Sequence, residues 1–357
     1  MYKAVLFDKE NEYIDDFLSL PNLLYAKNEI TQNLGEERKI VEGTHVLNKY
    51  FKQYKILVYS QTKNPCGRCI VTIYPNSDVA YIGYFECMED AECAKKIFEK
   101  ADECARSEGL KKIIGPLDSS FWIKYRLKVD GFDGLPYTGE PYNKSYYKKM
   151  FEDNGYSVLE SWVSNIYAKI PLFFKRKTIY KERLDTAERN NYKIVNAKAK
   201  DFEKIVDIIY ALISETFKEF ITFKAITNED FRELFKDYKY ILDYDFVKIA
   251  YYEEEAVAFS IVLPDYQNLL FRKMTLVNKI RIMFKKELCN NYVSLYMGVK
   301  KEHKGLGKAL TQKIIKDLYF RRASCIGALI TKGKVTEKYV EEQIEHKNEY
   351  VLFEKEL

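Results

Sequence analysis

Two stretches of the chain, about 12–170 and about 191–357, present the same order of local patterns. That order limits the fold more than any single residue does. Each stretch reads helix, helix, hairpin, strand, helix, strand, helix, strand. In the first, a helical region over 12–50 precedes the hairpin arms YKILVYS and CIVTIY, and DVAYIGYFEC leads into MEDAECAKKIFEKADECARSEG. There Ala91, Ala94, Ile97, Phe98, Ala101, Cys104 and Ala105 recur at helical spacing, and Gly109 suits a C-terminal cap. The strand KKIIGPL, a looped aromatic stretch, the short helix NKSYYKKMFEDNGY and the strand or strand pair SVLESWVSNIYAKI complete it.

The second stretch opens on YKIVNA, continues with helices from Asp201 and Asn228, and forms a hairpin over FVKIAYYEEEAVAFSIVLPD. An insert over 266–290 mixes polar and apolar residues. Then come YVSLYMGV, KALTQKIIKDLYFRRA, CIGALIT, the helix-like VTEKYVEEQIEH and the terminal strand EYVLFEKEL. The halves share pattern rather than residues, so the expectation is two copies of one α/β unit.

A length of 357 residues favours two domains. The expected bounds are 1–170 and 191–357. Between them PLFFKRKTIYKERLDTAERN, residues 171–190, reads as a solvated basic linker helix. Hydrophobic residues make up 47% and charged residues 31%, which suits packed cores. The net charge of +5 is a mild excess without clustering, so no nucleic-acid partner is expected. Neither a signal peptide nor a membrane-spanning run is read, and the expected location is cytoplasmic.

Seven cysteines are present, five of them scattered singly. Cys66 and Cys69 form a C-x-x-C, but β-branched CIVTIYP follows, so the motif reads as part of a hairpin turn. With three histidines, none at finger spacing, no metal site is expected.

EHKGLGKAL, residues 302–310, lies between the apolar YVSLYMGV and a helix whose Ala309, Leu310, Ile314, Ile315 and Leu318 share one face. A glycine-bearing turn from strand into helix presents backbone N–H groups at a helix N-terminus and lets an anion approach closely. Lys300, Lys301, Lys304 and Lys308 add positive charge there. The spacing matches neither a Walker A loop nor a dinucleotide fingerprint.

LYMGVKKEHKGLGKALTQKII resembles the acyl-CoA-binding segment of the GNAT N-acyltransferase superfamily: strand, basic turn, R/Q-x-x-G-x-G/A, helix. More faintly, GPLDSS, PYNKSYY and FLSLPNLLY resemble the N-terminal half of tandem bacterial GNAT-like proteins. The resemblance implies an α/β (α+β) fold of two tandem GNAT-like domains, each a mixed, mostly antiparallel sheet flanked by helices. It implies acetyl-CoA or another acyl-CoA as co-substrate, a small-molecule or peptide amine as acceptor, and compatibility with a homodimer. Met297, Gly298 and Val299 would pair with the pantetheine arm, and the amides of Lys304, Gly305, Leu306, Gly307 and Lys308 would hold the pyrophosphate. Tyr339 is the candidate acid for the leaving thiolate, and Asp265 the candidate base.

Two departures stand out. Glu302 takes the Arg/Gln position, and the last helix lacks the usual Asn near its start. In the first half, Glu86, Glu89 and Asp90 stand where a pyrophosphate would lie, so that copy reads as degenerate. Two alternatives stay open: an aminoacyl-tRNA-dependent peptidyl transferase, for whose RNA-holding helical arm 171–190 is too short, and a non-catalytic GNAT-fold binding protein.

Overall fold

A computed structural model describes residues 2–170 and 178–357. The chain begins with β1 (Lys3–Phe7), α1 (Asn11–Leu24), α2 (Leu34–Glu42), β2 (Lys52–Tyr59), β3 (Pro65–Ile73) and β4 (Ala80–Cys87). It continues with α3 (Ala91–Ser107), β5 (Lys112–Gly115), β6 (Leu127–Asp130), α4 (Tyr147–Asp153) and β7 (Ser157–Tyr167). Next come α5 (Thr178–Arg189), β8 (Lys193–Asn196), α6 (Phe202–Thr216), α7 (Asn228–Phe235) and α8 (Tyr238–Ile241). After these are β9 (Val247–Tyr252), β10 (Glu255–Pro264), α9 (Leu276–Glu287) and β11 (Asn291–Val299). Last are α10 (Leu306–Arg321), β12 (Ser324–Thr331) and β13 (Ile344–Glu356).

Internal contacts divide the chain into two units. One comprises Met1–Pro136, Glu140–Trp162 and Glu349–Leu357; the other comprises Tyr137–Gly139 and Val163–Asn348. A linear boundary does not describe this division, because the last nine residues group with the first unit. Strand pairing is the reason. Phe353 to Glu356 of β13 lie antiparallel to β5, and Glu349 to Val351 lie against β6.

In the first unit the strand order is β1-β2-β3-β4-β5, followed by the end of β13. The pairs are antiparallel except β4 with β5. Helix α3 buries Ala94, Ile97, Phe98, Ala101, Cys104 and Ala105 of the face its periodicity predicts, together with Cys93, while Ala91 at its first position is exposed. Phe85, Phe98 and Phe151 meet there with ring centroids about 5 Å apart, a geometry that adds to area burial.

The β2–β3 hairpin is present, but its turn lies at Ser60–Asn64, before the C-x-x-C, with Ser60 N bonded to Asn64 O. Pro65 opens β3, where a missing N–H costs least. Cys66 and Cys69 are therefore strand residues. The Cys66 sulfur lies 3.2 Å from that of Cys93, and all seven cysteines are free and buried.

In the second unit the order is β7-β12-β11-β10-β9-β8. β11 and β12 are parallel, and β8 to β11 pair antiparallel. Ala250, Val257 and Ala258 of the sheet pack with Leu306, Ala309 and Leu310 of α10.

One expectation needs a refinement here and one a correction. Where it is described, the segment expected as a basic linker helix is helical with Lys181, Glu182, Arg183, Glu188 and Arg189 exposed, but its other face is packed; residues 171–177 lie outside the described residues. Tyr180 and Ala187 of α5 are buried, and Leu184 and Ala187 join the cluster around Leu306 and Leu310. VTEKYVEEQIEH does not form a helix. It makes two 3₁₀ turns, Val335–Lys338 and Glu341–Gln343, and its end enters β13. Val340, a β-branched residue at φ 51°, sits between the turns in a conformation no helix tolerates.

Candidate functional site

In the second unit β11 and β12 run parallel and paired from Asn291–Ser324 to Ser294–Gly327, and there the pairing stops. On its other side β11 stays bonded to β10 as far as Val299. Ile261 faces Tyr296 while Val262 faces Ser294, so Leu295 is an extra residue, and a bulge of this kind bends the strand away from its neighbour. The backbone edge of residues 295–299 that faces β12 is left open. Such an edge can take up an extended polar chain as a further strand.

Gly298 is required by packing. A Cβ there would lie 2.5 Å from Phe259 Cε1 and 2.8 Å from Thr216 Oγ1. Met297 lies nearer the helix, its sulfur 3.7 Å from where a Cβ on Gly307 would stand.

Helix α10 begins beside this open edge. Gly305 is its N-cap at φ 104°, a region that strongly favours glycine, and no side chain caps the helix. The amides of Lys304, Gly305, Leu306 and Gly307 find no acceptor among the described residues, whereas Lys308 N bonds to Gly305 O at 3.3 Å. The first turn tightens on itself and so takes up the Lys308 amide. Lys304 and Glu302 are exposed, and Lys308 is half-buried.

Tyr339 is brought to this point by long-range packing. Its hydroxyl would lie 3.1 Å from a Cβ on Gly307, and that oxygen makes no hydrogen bond among the described residues. Tyr180 of α5 holds the segment, its hydroxyl accepting from Val340 N at 2.8 Å and its ring 5.9 Å from the Tyr339 ring. Tyr167 donates to the Tyr339 carbonyl at 2.9 Å. Burial pushes the Tyr339 phenol above its ordinary value; Tyr180 adds to this and Arg183 opposes it. Arg183, which the sequence reading missed, has a guanidinium nitrogen 3.8 Å from the Cβ position on Gly305. The apolar spacing Tyr180, Leu184, Ala187 was the signal that α5 would pack here.

Asp265 is not part of this arrangement. Its carboxylate accepts from Thr138 N at 2.9 Å, Thr138 Oγ1 at 3.2 Å, Gln267 N at 2.9 Å and Asn291 Nδ2 at 3.0 Å. It is buried at the opposite end of β10 from Ala258, the partner of Val299. Seven residues of strand separate the two, roughly 23 Å at about 3.3 Å per residue. The carboxylate is occupied by loop donors, which corrects its reading as a base.

The corresponding place in the first unit is filled from within. β4 and β5 pair only at Ala80–Ile113 and Tyr81–Ile114. Beyond that, Leu117 N bonds to Ile82 O, Asp118 accepts from Tyr84 N at 2.5 Å, and Cys87 N donates to the Tyr147 hydroxyl at 3.0 Å. At the start of α3 the Asp90 carboxylate accepts from Cys93 N, so a fixed anion already holds the helix N-terminus. Glu86, pushed above the usual carboxylate range by burial, accepts from Tyr25, Gln32 and Tyr147.

The solved structure of a tandem GNAT protein from the clavulanic acid biosynthesis pathway, without AcCoA, aligns over 100% of this chain and 98% of its own. The TM-score is 0.55 at 10% identity. The chain has the tandem GNAT fold. A GCN5-related N-acetyltransferase from Sphaerobacter thermophilus shares it with a TM-score of 0.51 and 12% identity, over 99% of this chain and 95% of that one. A fungal glucosamine N-acetyltransferase region covers 99% of this chain at a TM-score of 0.56 and 12% identity, matching 38% of its own multi-domain protein.

No family model matches. Among curated proteins, Protein YghO of Escherichia coli (strain K12) is 23% identical over 192 residues, 53% of this chain and 47% of that protein. Within that match the chain spans about half the length of the curated relative. In the tandem GNAT frame, the second copy carries an open β11 edge beside an uncapped helix, and the first copy has neither.

Proposed function

We propose that the second unit is an N-acyltransferase that moves an acetyl or other acyl group from acyl-CoA to an amine. The observation that carries the reading is the parting of β11 from β12 beside the uncapped N-terminus of α10. Backbone donors at a helix N-terminus suit a pyrophosphate, and the open edge suits the amide-bearing pantetheine arm. The amine attacks the thioester carbonyl directly, the tetrahedral adduct collapses, and the carbon–sulfur bond breaks. Tyr339, kept protonated by burial, gives its proton to the departing thiolate, and the proton that the attacking amine nitrogen loses as the amide forms restores the phenol. Asp265 keeps a structural part in this reading. The first unit does not take CoA, because Asp90 and Tyr147 already use the amides a cofactor would need.

A second reading has one observation in its favour. Where the last helix was expected there are two 3₁₀ turns, so the fold could bind an acyl-CoA without turning it over.

Titration calorimetry with acetyl-CoA, longer acyl-CoAs and free CoA tests the site. Tight binding by the parent and its loss in Gly305→Asp/Gly307→Asp, with the circular dichroism unchanged, is the expected outcome. A folded parent that binds none of these ligands sinks the proposal. Binding without transfer to any amine of a broad panel would leave the second reading.

A further inference from the structure

Helix α9 carries its apolar side chains on the outside. Leu276, Val277, Ile280, Met283 and Phe284, with Leu288 just beyond, are between 43% and 77% exposed, while Ile282 alone in the helix is buried. At about 100° per residue, the six exposed side chains fall within an arc of about 140°, and Ile282 points nearly opposite. One edge of the helix therefore anchors to the second unit, and an apolar stripe, interrupted only by exposed Glu287 in the last turn, faces solvent. Thr275 caps the helix by accepting from Asn278 N, so it forms with that stripe uncovered.

The stripe has a basic rim. On the same wheel Lys279 and Lys286 flank one side and Arg281 and Lys285 the other; Glu287, the one acid in the helix, falls within the apolar arc at its C-terminal end. None of the four cations is ion-paired among the described residues; Lys286 lies 6.0 Å over the Tyr244 ring. An apolar arc between two rows of cations is how a helix lies in a lipid interface, with its apolar face among acyl chains and its cations at headgroup phosphates. The same face would pair badly with itself, because a two-fold axis through the stripe would set cation against cation. No helix among the described residues is long and apolar enough to cross a membrane, so the contact would be peripheral.

We infer that α9 docks the protein on an anionic lipid surface. The inference does not depend on CoA binding. Flotation of the full chain with phosphatidylcholine vesicles, and with vesicles in which a third of the lipid is phosphatidylglycerol, tests it. Binding to the anionic vesicles only, weakened by salt, is expected. Met283→Glu/Phe284→Glu should abolish binding, and each of Lys279→Gln and Lys285→Gln should weaken it roughly fivefold. These side chains are exposed, so the variants should keep the parent's circular dichroism. A parent that ignores anionic vesicles, or a double variant that binds them as well as the parent does, overturns the inference. A parent that fails to bind vesicles but sediments as a dimer, which Met283→Glu/Phe284→Glu dissociates, assigns the face to a second copy and overturns it too.

Discussion

Gly307 and Tyr339 are 32 residues apart in sequence, yet the tyrosine hydroxyl fills the space a side chain at 307 would take. A phenol so placed, raised above its ordinary value by burial, stays protonated through neutral pH. If it protonates the leaving thiolate, transfer rises with pH as the acceptor amine loses its proton and falls only as the phenol ionises, above the ordinary tyrosine range. Tyr339→Phe should lower kcat by roughly 100-fold with the calorimetric affinity for acyl-CoA unchanged. A variant with parental kcat would make the ring a packing element. Glu302 is exposed rather than turned into the structure, and Arg183 brings a cation to the same loop from α5.

Helices α3 and α10 follow matching strands in the two copies and differ at their first turns. One is closed by its own carboxylate at Asp90, the other is opened by Gly305. That contrast was legible in the sequence, because a capping Asp and a helix-opening Gly are local signals. The part played by Asp265 was not. It clamps Thr138 and Asn291 to the end of β10, and its donors lie 127 and 26 residues away. Asp265→Ala would leave those buried donors without an acceptor and should cost about 3 kcal/mol, read as a lower urea midpoint. Per folded molecule, transfer should stay at the parental rate; a loss of kcat at unchanged stability would return Asp265 to the chemistry.

At the scale of the whole chain, the first unit is completed by its last residues. Tyr350, Leu352 and Phe353 are fully buried, and Phe353 stacks on Phe151 with centroids 5.2 Å apart. Without Glu349–Leu357, strands β5 and β6 lose a partner and the core loses three large side chains. A fragment of residues 1–170 should therefore lack a cooperative thermal transition, and the chain ended at Asn348 should melt well below the parent. A fragment 1–170 that melts cooperatively would refute this dependence on β13.

What the sequence by itself determined is whatever rests on spacing: the buried face of α3, both hairpins, and a strand running through a glycine turn into α10. These depend on residues within a turn or two of one another, and backbone geometry converts such spacing directly into a face or a strand. The order of those elements, twice over, was enough to point to two α/β units. Tertiary structure alone decided where β11 and β12 part, that Tyr339 rather than Asp265 lies against Gly307, that α5 packs on α10, and that the C-terminal strand finishes the first sheet. Each of these depends on which distant segments bury one another's apolar surface and satisfy one another's polar groups. No local pattern carries that information: Asp265 in LPDYQN looks the same whether its carboxylate meets solvent or four loop donors.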